Sequence, residues 1–158
     1  MAYYGNGPRS GGYGGGNNRQ GFSQNGPVQQ PLAAETLPGD YANKAEEVIR
    51  QLGQNRITTS KLRRLLALLI PIYNEENLRS EPELTGDNRA ALQLARVRML
   101  YEAGREQSVK EFVGKAKLVE YLKGVEQAKT GSREKLLDYY HYMEALVAYH
   151  KFYGGREE

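Results

Sequence analysis

Cysteine is absent from this chain of 158 residues, which excludes a disulfide framework and any thiolate metal site. A chain without cysteine suits a reducing compartment, so a cytoplasmic location is expected. Histidine is scarce. His141 and His150 lie nine residues apart on one expected helix and point about 180° apart, so they cannot share a metal ion from that helix. Packing or surface roles are expected of them, and no metal site. Long apolar runs are missing too. The longest, LLALLIPIY, is far shorter than a membrane span and contains Pro71, so no membrane partner is expected. The opening MAYYGNGPRSGGYGG has no basic stretch leading into an apolar core and does not read as a secretory signal. No glycine-rich loop follows a strand or opens a helix, as a phosphate cradle requires, and no nucleophile-elbow motif presents a serine. No catalytic residue, no cofactor and no enzyme are expected.

What remains divides at about residue 40. Residues 1–39 are rich in Gly, Asn, Gln and Pro, with scattered tyrosines and almost no aliphatic side chains. Such a segment cannot bury enough apolar surface to offset its ordering entropy, so a disordered tail is expected. Its composition is that of polar, aromatic tails that associate weakly with RNA or with themselves. Arg9 and Arg19 are isolated, however, and a plain flexible extension is the other reading.

Residues 40–158 show helical periodicity and no alternation of the strand kind. The spacing predicts a single-domain, all-α bundle of about five helices with short connections. Asp40 caps the first, which stops at Gly53. Thr58 or Thr59 caps the second, in which Leu62, Leu65, Leu66, Leu69 and Ile72 recur and Pro71 imposes a kink or an end. NEENLRSEPELTG reads as a polar connection. Asp87 caps a third helix through about Ala103, with Gly104 as a left-handed stop. Ser108 and Glu111 form a capping-box pattern that starts a fourth helix, continuing to about Gln127. The last helix runs from TGS to the Gly154-Gly155 stop.

Two features have functional weight. On the last helix Leu136, Tyr140, Met143 and Val147 form one stripe, and Tyr139, Tyr142, Leu146, Tyr149 and Tyr153 form a neighbouring one. Together they nearly encircle it. Either the helix is central and buried, or Tyr139, Tyr142, Tyr149 and Tyr153 meet another subunit, where amphipathic aromatics are favoured. The second feature is basic. RITTSKLRR holds Arg56, Lys61, Arg63 and Arg64 without an acidic residue, and Lys61 and Arg64 share a side. In LARVRMLYEAGRE, Arg98, Tyr101 and Arg105 share a face by their i, i+3, i+7 spacing. Arg96 falls between Leu92, Met99, Leu100 and Ala103 on the inward side, where it should bond a carboxylate, a carbonyl or a neighbouring subunit. These side chains form either a phosphate-contacting face or a solvated one with local partners such as Arg98 with Glu102. A net charge of +3 is compatible with a polyanion without requiring one.

Three blocks, ITTSKLRRLL, RVRMLYEAGREQSVKEFV and LLDYYHYMEALVAYHKFYGG, resemble the signature blocks of the small subunit of type III-A CRISPR effector (Csm) complexes. The resemblance covers residue 41 to the C-terminus and leaves out the glycine-rich tail. It implies a non-catalytic helical protein that assembles head to tail with copies of itself as an inner filament. Its implied partners are guide RNA, target RNA, and the backbone and large subunits of the complex, with cleavage belonging to those subunits. Contact with the guide–target duplex would be to its backbone. Phosphate contact needs Lys and Arg without base-reading geometry, so Lys61, Arg64, Arg98 and Arg105 are the candidates, followed by Arg56, Arg63 and Arg96. Tyr101 either stacks or hydrogen-bonds there, or packs in the core. A protein-only helical spacer is the alternative.

Overall fold

Residues 29–53 and 56–158 are described by the structure, a computed structural model. The helical unit runs from Pro31 to Glu158. Its helices are α1 (Tyr41–Gln51), α2 (Thr59–Ala67), α3 (Ile70–Asn77), α4 (Gly86–Arg105), α5 (Gln107–Lys115), α6 (Leu118–Glu126) and α7 (Ser132–Phe152). The fold is all-α, as the periodicity predicts, with seven helices among the described residues rather than five. The expected disorder of the tail falls, up to residue 28, outside the described residues.

Both additional helices come from breaks within expected ones. Pro71 does not end a helix; it stands in the first turn of α3, where its missing N–H is no loss. The polar run NEEN, expected as connection, therefore completes α3. The second break is at Lys117, which adopts a left-handed conformation (φ +52°) between α5 and α6. That conformation costs a side-chain-bearing residue about 1–2 kcal/mol. Contacts around the break offset it. Tyr139 Oη donates to Leu118 O and Tyr142 Oη to Ala116 O, each at 2.8 Å, so α7 grips both sides of Lys117. The Lys117 ammonium holds both oxygens of Glu35, at 3.1 and 2.9 Å.

α7 is the central helix. It packs against α1, α2, α3 and α6, while α4 lies over α5 and α6. Leu136, Tyr139, Tyr140, Tyr142, Met143, Leu146 and His150 are all buried, which is why its apolar residues nearly encircle it. Residues 31–39, compositionally part of the tail, belong to the helical unit. Glu35 N donates to Glu120 O at 3.0 Å and Lys123 Nζ to Leu32 O at 2.6 Å. A Cβ at Gly124 would run into the Glu35 carbonyl, so glycine is what lets this strap lie against α6.

The caps explain the remaining boundaries. Asp40 is the N-cap of α1 but makes no side-chain bond there, whereas Thr58 accepts from Lys61 N at 3.3 Å. Thr85, not Asp87, caps α4, accepting from Asn88 N at 3.0 Å. Gly104 is not a stop: α4 continues through Arg105 and ends at the extended Glu106, which also opens α5. Ser108 is then already inside α5 and caps nothing.

At the other end, Gly154 (φ +80°) turns the chain back over α2. Thr59 N and Ser60 N donate to Arg156 O and Glu157 O at 2.8 and 3.0 Å, satisfying amides that have no partner within the helix. His150 is sealed beneath this return. Its Nε2 faces the Ile57 carbonyl at 2.6 Å and its Nδ1 faces Thr59 Oγ1 at 3.1 Å. A carbonyl only accepts, so Nε2 carries the proton and Nδ1 accepts from the hydroxyl.

Burial lowers the His150 pKa below its ordinary 6.5, more than the Ile57 carbonyl raises it. The unfolded chain therefore takes up a proton at this residue before the folded one does. Stability from His150 is present above pH 6.5 and is lost as pH falls through the folded pKa. Thermal melts between pH 7 and 5 should show a fall in Tm that flattens in His150→Gln. An equal slope in the two proteins would show that other groups set it.

Candidate nucleic-acid interface

The expected phosphate-contacting residues separate into three groups by what they touch. Arg56 is structural. Its Nε donates to Gly53 O at 2.6 Å and its guanidinium to Tyr153 O at 2.8 Å, tying the α1–α2 connection to the end of α7. Arg96 is structural as well, as its inward position predicts. It packs α4 on α6 through an ion pair with Glu126 at 3.0 Å, and that carboxylate is 7% exposed. Both side chains are thus held by partners within the chain, which places them behind the remaining candidates.

Arg63 stands apart from the rest. It is exposed and 3.7 Å from Glu157, on the side of α2 covered by the returning C-terminus.

Lys61, Arg64, Arg98, Tyr101 and Arg105 remain. Lys61 forms an ion pair with Glu106, the residue joining α4 to α5. Arg64 borders, with Lys61, Leu65, Glu102 and Val109, a small cleft between α2 and the end of α4. Glu102 in turn holds Arg105 at 3.6 Å. The two basic stretches, far apart in sequence, thus meet where α2 crosses the end of α4. Arg98 lies about two turns back along α4. Arg98 and Arg64 are exposed, and among the described residues neither has a carboxylate partner within ion-pair distance. The expected Arg98–Glu102 pair is replaced by Arg105–Glu102.

Tyr101 is 63% exposed, which settles it as a surface rather than a core residue. The Arg105 guanidinium sits 5.5 Å from its ring centroid, a cation–π arrangement that holds both side chains out from the helix. Flat, cationic and aromatic surface of this kind suits a ribose-phosphate backbone or an unstacked base.

The expected tyrosine interface does not survive intact. Tyr139 and Tyr142 are fully buried and spend their hydroxyls on the α5–α6 break, so they meet no other subunit. Tyr153 Oη donates to Glu46 at 2.6 Å and stacks on Tyr149, with centroids 6.4 Å apart. Both are half-buried. Phe152, beside them, is the side chain that stands out, at 78% exposure. His141 meets the Tyr73 hydroxyl at 3.3 Å.

One group on this surface lies outside the expectation from sequence. Leu94 and Val97 of α4 are 52% and 56% exposed, and Leu100, expected to face inward, is 41% exposed. The apolar character of α4 therefore extends to the same side as Arg98 and Tyr101. The signal was present in the spacing: α4 carries two apolar stripes, and only the one through Leu92, Ala95, Met99 and Ala103 is buried.

The family model Csm2 Type III-A matches residues 36–156. The CRISPR system Cms protein Csm2 of Streptococcus thermophilus is 40% identical over 123 residues, spanning 75% of this chain and 94% of that protein. The protein of the same name from Mycobacterium tuberculosis H37Rv is 39% identical over 126 residues, 77% of this chain and 98% of its own length. That of Enterococcus italicus is 35% identical over 132 residues, 75% of this chain and 91% of the relative.

Proposed function

Because this chain belongs to the Csm2 family of type III-A CRISPR systems, and is thus a subunit of the Csm complex, we propose that it is a non-catalytic subunit contacting the guide–target RNA duplex along its backbone. The observation that carries this is the exposed Arg98–Tyr101–Arg105 face of α4, continued by Lys61 and Arg64 across the α2 crossing. Scattered cations of this kind neutralise phosphates without reading bases, and base pairing with the guide supplies the specificity. The histidines, the natural general-base candidates, are engaged with Tyr73, Thr59 and Ile57, which supports a structural role. On this reading the protein works in the cytoplasm. It stacks in several copies head to tail, beside the backbone and large subunits that do the cutting.

A protein-only spacer is the second reading, favoured by the exposed Leu94 and Val97, which suit a protein neighbour better than RNA. Photocrosslinking of target RNA in the assembled particle separates the two. Crosslinks to α4 and to the α2 crossing are expected; crosslinks confined to other subunits would sink the RNA-contacting reading.

A further inference from the structure

Two cations of this chain already hold an anion, and the anion is its own. Beyond α7, Gly154 reverses the path, and Gly155 lies against the buried His150 ring, where a Cβ would run into the imidazole. Gly155 N donates to His150 O at 2.8 Å, and the carbonyls of Arg156 and Glu157 take the Thr59 and Ser60 amides. The path fixed by these bonds delivers the Glu157 carboxylate between two helices. Its Oε1 pairs with Lys151 Nζ of α7, and its Oε2 lies 3.7 Å from the Arg63 guanidinium of α2. One carboxylate thus serves two cations, one oxygen to each. The Lys151 ammonium holds that carboxyl below its ordinary pKa. What anchors the segment is unlike what anchors the helices. Arg156, Glu157 and Glu158 are exposed, and both ion pairs lie at the surface, where such pairs contribute little. Segments kept by exposed hydrogen bonds and ion pairs open before the rest of a fold.

We propose that the segment Gly155–Glu158 is an autoinhibitory latch, in which Glu157 occupies a phosphate site made by Arg63 and Lys151 until an RNA backbone displaces it. The proposal rests on the RNA-contacting reading above and adds a gate to that surface. Arg63 neighbours Arg64, which borders the cleft beside α4, so the Arg63–Lys151 pair carries the cationic track across α2. A phosphodiester suits the same pair, because it offers two non-bridging oxygens and one negative charge, as a carboxylate does. Lifting the segment also uncovers the Thr59 and Ser60 amides beside these cations, adding donors that favour an anion. The tether decides which anions get in. A carboxylate held a few residues from its cations has a high effective concentration, against which a free phosphate or a mononucleotide competes poorly. A backbone already engaged at Arg64 and Arg98 is itself tethered, and it competes on equal terms. The latch therefore keeps isolated anions off this end of the track and yields to an extended strand.

Binding of an RNA duplex of about 20 base pairs to the full chain, measured across a range of salt, tests the latch. Glu157→Gln keeps the backbone bonds of the segment and frees both cations. It should bind roughly three- to tenfold more tightly than wild type, with a log–log salt slope steeper by about one to two, because the freed cations now release counterions. Adding Arg63→Gln and Lys151→Gln to it should remove the gain. Glu158→Gln, which deletes a neighbouring charge that neither cation holds, should change the affinity by less than about twofold. Wild-type affinity and slope in Glu157→Gln would overturn the latch. So would a gain that survives the loss of Arg63 and Lys151, or an equal gain from Glu158→Gln. The Arg98→Glu, Arg105→Glu double variant, assayed alongside, separates the two readings. If it weakens binding while Glu157→Gln changes nothing, the RNA surface stands and the latch alone is lost. If neither wild type nor Glu157→Gln binds the duplex, both are lost.

Discussion

Replacing Glu76 with alanine should lower the stability of the folded chain by about 3 kcal/mol. Glu76 is fully buried although it comes from a run of polar residues. Its Oε1 accepts from Asn88 Nδ2 at 2.7 Å and from Thr85 N at 3.1 Å, and its Oε2 from Arg79 at 2.5 Å. The carboxylate thereby locks the loop between α3 and α4 and the first turn of α4. Its own carbonyl accepts from Arg133 Nε at 3.0 Å, which extends the lock to α7. Alanine would leave a buried amide, a buried backbone N–H and a half-buried guanidinium without their acceptor. Each orphaned buried donor costs about 1–3 kcal/mol. Arg79 can turn partly to water, and this keeps the total near the lower end for a broken buried pair. Glutamine should cost less, about 1 kcal/mol, because its carbonyl can still serve Asn88 and Thr85 while the charge facing Arg79 is lost. Urea unfolding monitored by circular dichroism measures both. A Glu76→Ala protein with the wild-type midpoint would show that the network contributes nothing net. The same group adds an acid limb. Burial by itself raises the carboxyl pKa, but Asn88, the Thr85 N–H and Arg79 together hold it below 4.5. Stability from Glu76 is thus present above pH 4.5 and lost as pH falls through the folded value.

Glu76 also marks what could and could not be read from the sequence. Nothing in NEENLRSEPELTG distinguishes a buried carboxylate from its solvated neighbours, because its donors, Arg79 and the Thr85 backbone within that run and Asn88 beyond it, converge on it only once the loop has folded. Helices with a strong local signal were legible: the Thr58 cap, the apolar periodicity of α2 and the Gly154 turn all stand where the sequence puts them. Breaks set by tertiary contact were not. Lys117 is left-handed because Tyr139, Tyr142 and Glu35 hold the chain around it, and no glycine announces the turn. Pro71 was legible as a discontinuity, but a proline fits the first turn of a helix as well as it ends one, and only packing chose between them. At the candidate site the type of each arginine was plain from sequence while its employment was not. Arg56 and Arg98 look alike in a string of letters. One is bonded to two backbone carbonyls and the other stands in solvent.

Reversing Arg98 and Arg105 to glutamate should weaken RNA binding by roughly one to two orders of magnitude at moderate salt, without unfolding the protein. Both side chains are exposed, and the bonds that hold α4 in place belong to Arg89, Arg96 and the buried stripe through Met99. The melt should therefore be unchanged within a degree or two. Each phosphate contact releases about one counterion, so the salt dependence of the affinity should become shallower by roughly two in log–log slope. That slope is the decisive quantity. A loss of affinity with an unchanged slope would mean that the arginines act through neighbouring protein surface, as a spacer would use them. An unchanged affinity would remove α4 from the RNA altogether. Arg56→Gln supplies the contrast, since its guanidinium is committed to Gly53 and Tyr153. It should lower the melting temperature and leave the salt slope where it was, because a cation that never meets a phosphate releases no counterion on binding.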